Sequence, residues 1–132
     1  MDTLLIDDDL IGIFLTERLL RREAFSDDIV TLNTAHEALT FLQQAAPDEL
    51  PRVVFLDLNM PMMDGWELLA ALQPIADRLR GRCRFYVLTS SLAQADTARV
   101  DEFELVAGLL RKPIDSQQIR LVRTQLEQAA TG

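Results

Sequence analysis

With 132 residues the chain has room for one globular domain of ordinary size, and 48% hydrophobic against 26% charged residues excludes wholesale disorder. The 21 acidic and 13 basic side chains give a net charge of −8, which repels a phosphate backbone and excludes nucleic acid as a first partner. A single cysteine, Cys83, excludes an internal disulfide, and no basic segment leads into a long apolar run, so the expectation is a cytoplasmic chain with no membrane partner.

In chain order, the first predicted strand is Leu4-Leu5-Ile6, which runs into Asp7-Asp8-Asp9. Helical spacing follows at Ile11, Leu15 and Leu19, with Arg18, Arg21 and Arg22 on a solvated face. The second strand, Ile29 to Asn33, has few and partly alternating apolar residues, as expected of an edge. Thr34 with Glu37 forms a capping-box pattern ahead of Ala38, Leu42 and Ala45; His36 lies inside it and reads as a surface residue rather than a phosphohistidine.

The third strand, Val53-Val54-Phe55-Leu56, ends in Asp57, and Asp64 with Glu67 caps a helix carrying Leu69, Leu72 and Ala76. Trp66, Phe14, Phe41 and Met62 read as packing or partly exposed apolar groups. Arg78, Arg80, Arg82 and Arg84 then alternate along a helix-to-strand connection containing Gly81, which reads as a solvated loop. The fourth strand, Phe85-Tyr86-Val87-Leu88, leads to Thr89-Ser90-Ser91, where Ser91 with Gln94 offers a further cap. A fifth, weaker run, Ala107-Gly108-Leu109-Leu110, is followed by Arg111-Lys112-Pro113; Asp115 with Gln118 caps a last helix bearing Ile119, Val122 and Leu126.

Unbroken apolar runs suit strands buried on both faces, and five strands alternating with five helices predict a single α/β domain over residues 1–132, its core at 3–129 with a short C-terminal tail. The flavodoxin-like order 2-1-3-4-5 is favoured by the weak second strand. It places ligands at the carboxyl ends of strands one and three.

Those ends carry carboxylates. Two of them about 4–5 Å apart repel by roughly 3–4 kcal/mol at an effective dielectric of about 20, which calls for a cation. Hard oxygen donors, few in number, suit Mg2+ better than Ca2+. Thr89 and Lys112 end the next two strands on the same rim and supply a hydroxyl and an ammonium. These are the parts for phosphoryl transfer onto a carboxylate.

Asp57-Leu58-Asn59-Met60-Pro61-Met62-Met63-Asp64-Gly65 resembles the D-x-x-M-P-x-x-D-G signature of response-regulator receivers, and the likeness extends over essentially the whole chain. The resemblance implies that Asp57 is the phosphoacceptor. It also implies that Asp8, Asp57 and the backbone carbonyl of Asn59 ligate Mg2+, that Asp7 acts through water, and that Thr89 and Lys112 contact the phosphoryl oxygens. Asp64 stays a structural turn and cap, and a cis peptide precedes Pro113. It implies a stand-alone switch rather than an enzyme, phosphorylated by a sensor histidine kinase or phosphotransfer protein and read by a downstream protein at the face of the fourth helix, fifth strand and fifth helix.

Where receivers commonly carry Tyr or Phe, this chain has Leu109, which puts the usual coupling of that ring to Thr89 in question. Two alternatives are a haloacid-dehalogenase-like phosphatase, disfavoured by Asn59 where a second acid would stand, and a receiver-like binding module that no longer switches. A flavodoxin is disfavoured by the acidic run after strand one.

Overall fold

Alternation along the strands decides how two layers of helix pack on one sheet. The computed structural model describes residues 2–90 and 94–131. Strands β1 (Thr3–Ile6), β2 (Ile29–Leu32), β3 (Val53–Asp57), β4 (Arg84–Thr89) and β5 (Val106–Arg111) form a parallel sheet in the order β2-β1-β3-β4-β5, as expected. Every residue of β1 and β3 is buried, while β2 and most of β5, at the edges, are half-buried.

Leu4, Ile6, Val54, Leu56, Phe85 and Val87 pack on one side against α2 (Ala35–Gln44), α3 (Gly65–Ala71), α4 (Ala76–Leu79) and Val100 of α5 (Gln94–Val100). Leu5, Phe55, Tyr86, Leu88 and Leu110 meet α1 (Leu10–Arg22) and α6 (Ser116–Thr131) on the other. Each fully buried Leu or Phe in these layers contributes about 1.5–3 kcal/mol. Among the described residues, no helix is long and apolar enough to cross a membrane.

Two expectations are corrected. Among the described residues there are six helices, not five, because the third is broken: α3 ends at Ala71, a 3-10 turn spans Gln73–Ile75, and α4 resumes at Ala76. Pro74 sits in that turn, where its missing N–H removes a helical hydrogen bond. On α1 the buried side is Ile13, Leu19 and Leu20; Ile11 and Leu15 are 71% and 56% exposed.

The caps are more varied than their patterns. Asp64 and Glu67 make the full reciprocal box. Thr34 and Asp115 accept from the backbone N–H groups of Glu37 and Gln118, but the Glu37 carboxylate takes the Thr34 hydroxyl and the Gln118 amide turns to the main chain of Arg111. Ser91 lies outside the described residues. His36 is exposed at the start of α2, as expected.

Candidate functional site

Ile6 of β1 pairs with Leu56 of β3, so Asp7 and Asp57 leave the sheet side by side at its carboxyl end. Carboxylate oxygens of Asp7, Asp8 and Asp57 lie within 4.8 Å of one another. Asp7 and Asp57 are each 2% exposed, whereas Asp8 is open to solvent.

The buried pair is held in place by the chain itself. Asp7 Oδ1 accepts from the Asp9 N–H at 2.9 Å, and Asp57 Oδ1 accepts from the Asn59 N–H at 3.2 Å. Lys112, just past β5, brings Nζ to 3.1 Å from Asp7 Oδ2 and 3.6 Å from Asp57 Oδ2. Its own N–H donates to the Thr89 carbonyl at 2.8 Å, which ties this loop to the end of β4. The Lys112–Pro113 peptide is cis.

Thr89 is buried one residue beyond Leu88, the register partner of Asp57. Of the six positions expected from the sequence, Asp7, Asp57, Thr89 and Lys112 therefore end neighbouring strands, with Asp8 and Asn59 in the loops that follow β1 and β3. Leu109 pairs with Val87 and packs, half-buried, on the core beside α5.

Burial pushes the Asp57 carboxyl up to about 7, and the neighbouring Asp7 carboxyl pushes the same way; the Asn59 N–H and the Lys112 ammonium only partly offset this. For Lys112 burial acts downward, but Asp57 and Asp7 outweigh it and hold the ammonium above its ordinary value. One ammonium thus faces three carboxylates. This donor set, hard oxygens short of positive charge at the mouth of a sheet, fits a divalent cation and Mg2+ in particular.

The acidic run after β1 divides by role. Asp9 is the cap of α1, accepting from the Ile11 N–H at 3.1 Å, while Asp7 and Asp8 turn into the cluster. Asp64 caps α3 and takes no place in the cluster.

Two glycines hold the site open and escape a reading by strand ends. A Cβ on Gly65 would meet the Asp57 carbonyl oxygen and Leu58 Cδ2, each at 2.9 Å, so only glycine lets α3 start this close to the acidic strand end. A Cβ on Gly12 would stand 3.3 Å from Asp7 Oδ2 and 3.2 Å from Asp9 Oδ2. The available signal is a glycine in the first turn of a helix, where alanine is the better helix former. Gly12→Ala is expected to weaken Mg2+ binding several-fold, measured by calorimetry, without lowering the melting temperature; unchanged affinity would mean that the space above Asp7 is incidental.

Trp66, expected to be packing, is more than that. It is 5% exposed, stacks on Phe103 at 5.8 Å, carries the Arg99 guanidinium 4.8 Å from its ring, and donates Nε1–H to Asp96 at 3.3 Å. It links the start of α3, next to Gly65, to α5.

A family model described as response regulator receiver domain matches residues 3–123. The chain belongs to the response regulator receiver family. Receivers accept a phosphoryl group, bind Mg2+ at an acidic pocket and work with a histidine kinase or phosphotransfer partner; they are signalling domains. This receiver is 31% identical over 96 residues to response regulator Rcp1 of Synechocystis sp., covering 70% of this chain and 64% of that one. It is 28% identical over 131 residues to the probable methanogenesis regulatory protein FilR2 of Methanothrix harundinacea, covering 98% and 83%. A solved two-component response regulator from Cytophaga hutchinsonii superposes with a TM-score of 0.84 at 26% identity, covering 96% of both chains.

Proposed function

We propose that this receiver takes a phosphoryl group on Asp57 from a phosphohistidine of a sensor kinase or phosphotransfer protein, and signals by phosphorylation-dependent contact with a downstream protein. The observation that carries the reading is the approach of Asp7, Asp8 and Asp57 within 4.8 Å beside the Lys112 ammonium. Asp8, Asp57 and the Asn59 carbonyl would hold Mg2+, with Asp7 reaching it through water. Bound there, Mg2+ would neutralise charge on the transferring phosphoryl oxygens.

In the transfer, an Asp57 carboxylate oxygen bonds to phosphorus as the donor's P–N bond breaks, and that electron pair stays on the imidazole. Lys112 and Thr89 receive the phosphoryl oxygens with an ammonium and a hydroxyl. The buried position of Asp57 limits water that would hydrolyse the acyl phosphate. Acetyl phosphate with Mg2+ is expected to add one phosphoryl mass to the protein and none to Asp57→Asn; full labelling of the variant removes Asp57 as the acceptor.

The corrected face of α1 supplies a docking surface for the donor. Leu10, Ile11, Phe14 and Leu15 are all more than half exposed beside the acidic rim, with Arg18 over the Phe14 ring at 5.6 Å. A patch of this kind suits the apolar flank of a histidine-bearing helix. Phe14→Asp is expected to slow transfer from a phosphohistidine protein by about tenfold or more and to leave labelling by acetyl phosphate unchanged. Equal slowing with both donors would place the effect in the site rather than in docking.

A further inference from the structure

At the end of the sheet away from Asp57, where Arg84 opens β4 and Val106 opens β5, lies a cavity of about 570 Å³ lined by Arg52, Arg80, Arg82, Arg84, Glu104 and the apolar Leu105, Val106, Ala107 and Leu126. Four guanidinium groups face one carboxylate there, in a chain whose net charge is −8. The alternating arginines that read as a solvated connection in the sequence are thus gathered around a cleft.

The four are not equivalent. Arg80 is taken up by Asp77 and Glu104, and Arg52 lies 3.6 Å from Asp2. Arg82 and Arg84 have no carboxylate partner among the described residues. Arg84 is half-buried with its guanidinium beside the Tyr86 phenol, and its Nε is buried with no hydrogen-bond partner. Among the described residues only one other side-chain polar atom is in that condition, Thr3 Oγ1, and Thr3 lines an adjoining cavity of about 350 Å³ that shares Arg52 and Leu126 with the first. Buried polar groups in folded proteins are as a rule satisfied, so an orphan beside each of two adjoining cavities calls for a partner there, a bound molecule or water.

The walls say what kind of molecule. The β4–β5 register slips between Phe85 and Tyr86, so that Ala107 is an extra residue of β5; Ala107 packs on the same side of the sheet as Leu126, while Val106 packs on the other side at the mouth of the cleft. A volume in the range of ordinary ligand clefts, with a basic end and an apolar wall, fits an anion attached to a flat or apolar body. Guanidinium groups match phosphoryl oxygens in charge and in paired N–H geometry.

We propose that this cleft binds a small organic phosphate of mononucleotide size, with its phosphoryl group on Arg82 and Arg84 and its ring against Ala107 and Leu126. The site is separate from the acidic rim, and binding there requires no phosphorylation of Asp57.

The test is an amide chemical-shift titration of the whole chain in EDTA with adenosine 5′-monophosphate, adenosine and inorganic phosphate. EDTA keeps Mg2+ from drawing phosphate to the acidic rim. The monophosphate is expected to shift Gly81, Arg82, Val106 and Ala107 saturably, with adenosine and inorganic phosphate each weaker by about tenfold or more. Arg82→Gln, a change at an exposed position, is expected to weaken the monophosphate by about tenfold, and Arg84→Gln by more, with the melting temperature of each variant recorded. Shifts that do not saturate by about 10 mM, shifts confined to the acidic rim, or equal affinity in a folded Arg82→Gln protein overturn the proposal. So does inorganic phosphate binding as tightly as the nucleotide.

Discussion

In EDTA at pH 8, Asp57→Asn is expected to be more stable than the parent chain by about 2–4 kcal/mol, read as a higher urea midpoint at unchanged slope. The cause is the burial that prepares Asp57 for its task. In the folded protein its carboxyl holds a proton up to about 7, whereas the unfolded chain releases it near the ordinary carboxyl value of 3.8. Between these values the native state binds more protons than the unfolded state, so the stability of the parent falls as pH rises from about 4 to about 7 and stays reduced above that. The amide carries no charge, so its advantage is full at pH 8 and fades toward pH 4. Millimolar Mg2+ is expected to narrow the gap by stabilising the parent. An advantage of the same size at pH 4 and pH 8, or a variant less stable at pH 8, would show that the ionised Asp57 is not a cost to the fold.

The same physics explains which features were legible in the sequence. Strands buried on both faces must be apolar throughout, so β1, β3 and β4 stand out as short unbroken runs, and any charge at their ends is conspicuous. Asp7 and Asp57 stand out in this way, whereas Lys112 follows the weaker β5, and the order of the sheet follows from the weakness of β2. Helix faces were harder. The start of α1 carries Leu10, Ile11, Ile13, Phe14 and Leu15, which cover more than half its circumference, so periodicity could not choose the buried side. Tertiary contacts without a local signal were out of reach: nothing near Gly12 announces that its missing Cβ leaves space above the Asp7 carboxylate, and nothing near Trp66 announces Asp96, Arg99 and Phe103. Pro74 stands inside the helical spacing of Leu69, Leu72 and Ala76, and that is where the structure breaks the helix. The arginine run was visible too, but only the bulged β4–β5 edge turns it into a cleft.

Lys112→Met is expected to separate charge from chemistry at the acidic rim. The ammonium stands 3.1 Å from Asp7 Oδ2 and 3.6 Å from Asp57 Oδ2, both carboxylates being buried, and its loss leaves them facing each other. Removing one partner of a buried ion pair costs about 3–5 kcal/mol; Lys112 is 25% exposed, so a value at or below the bottom of that range, about 2–3 kcal/mol, is expected at pH 8 in EDTA. The sign with pH follows from both groups. The lysine, held above its ordinary value, contributes below about 10.5 and loses that contribution only as pH rises through its raised value; toward acid the loss shrinks as Asp57 takes up its proton, through about 7. Saturating Mg2+ is expected to restore most of the stability, because a cation from solution can replace the missing charge. It is not expected to restore labelling by acetyl phosphate, which should remain slower by about a hundredfold, because the N–H donors that Lys112 would present to the phosphoryl oxygens are absent. Lys112→Arg, which keeps charge and donors on a longer head, should fall between the two. A Lys112→Met protein labelled at the parental rate with Mg2+ would make Lys112 a structural counter-charge and leave Thr89 as the side chain assigned to the phosphoryl group.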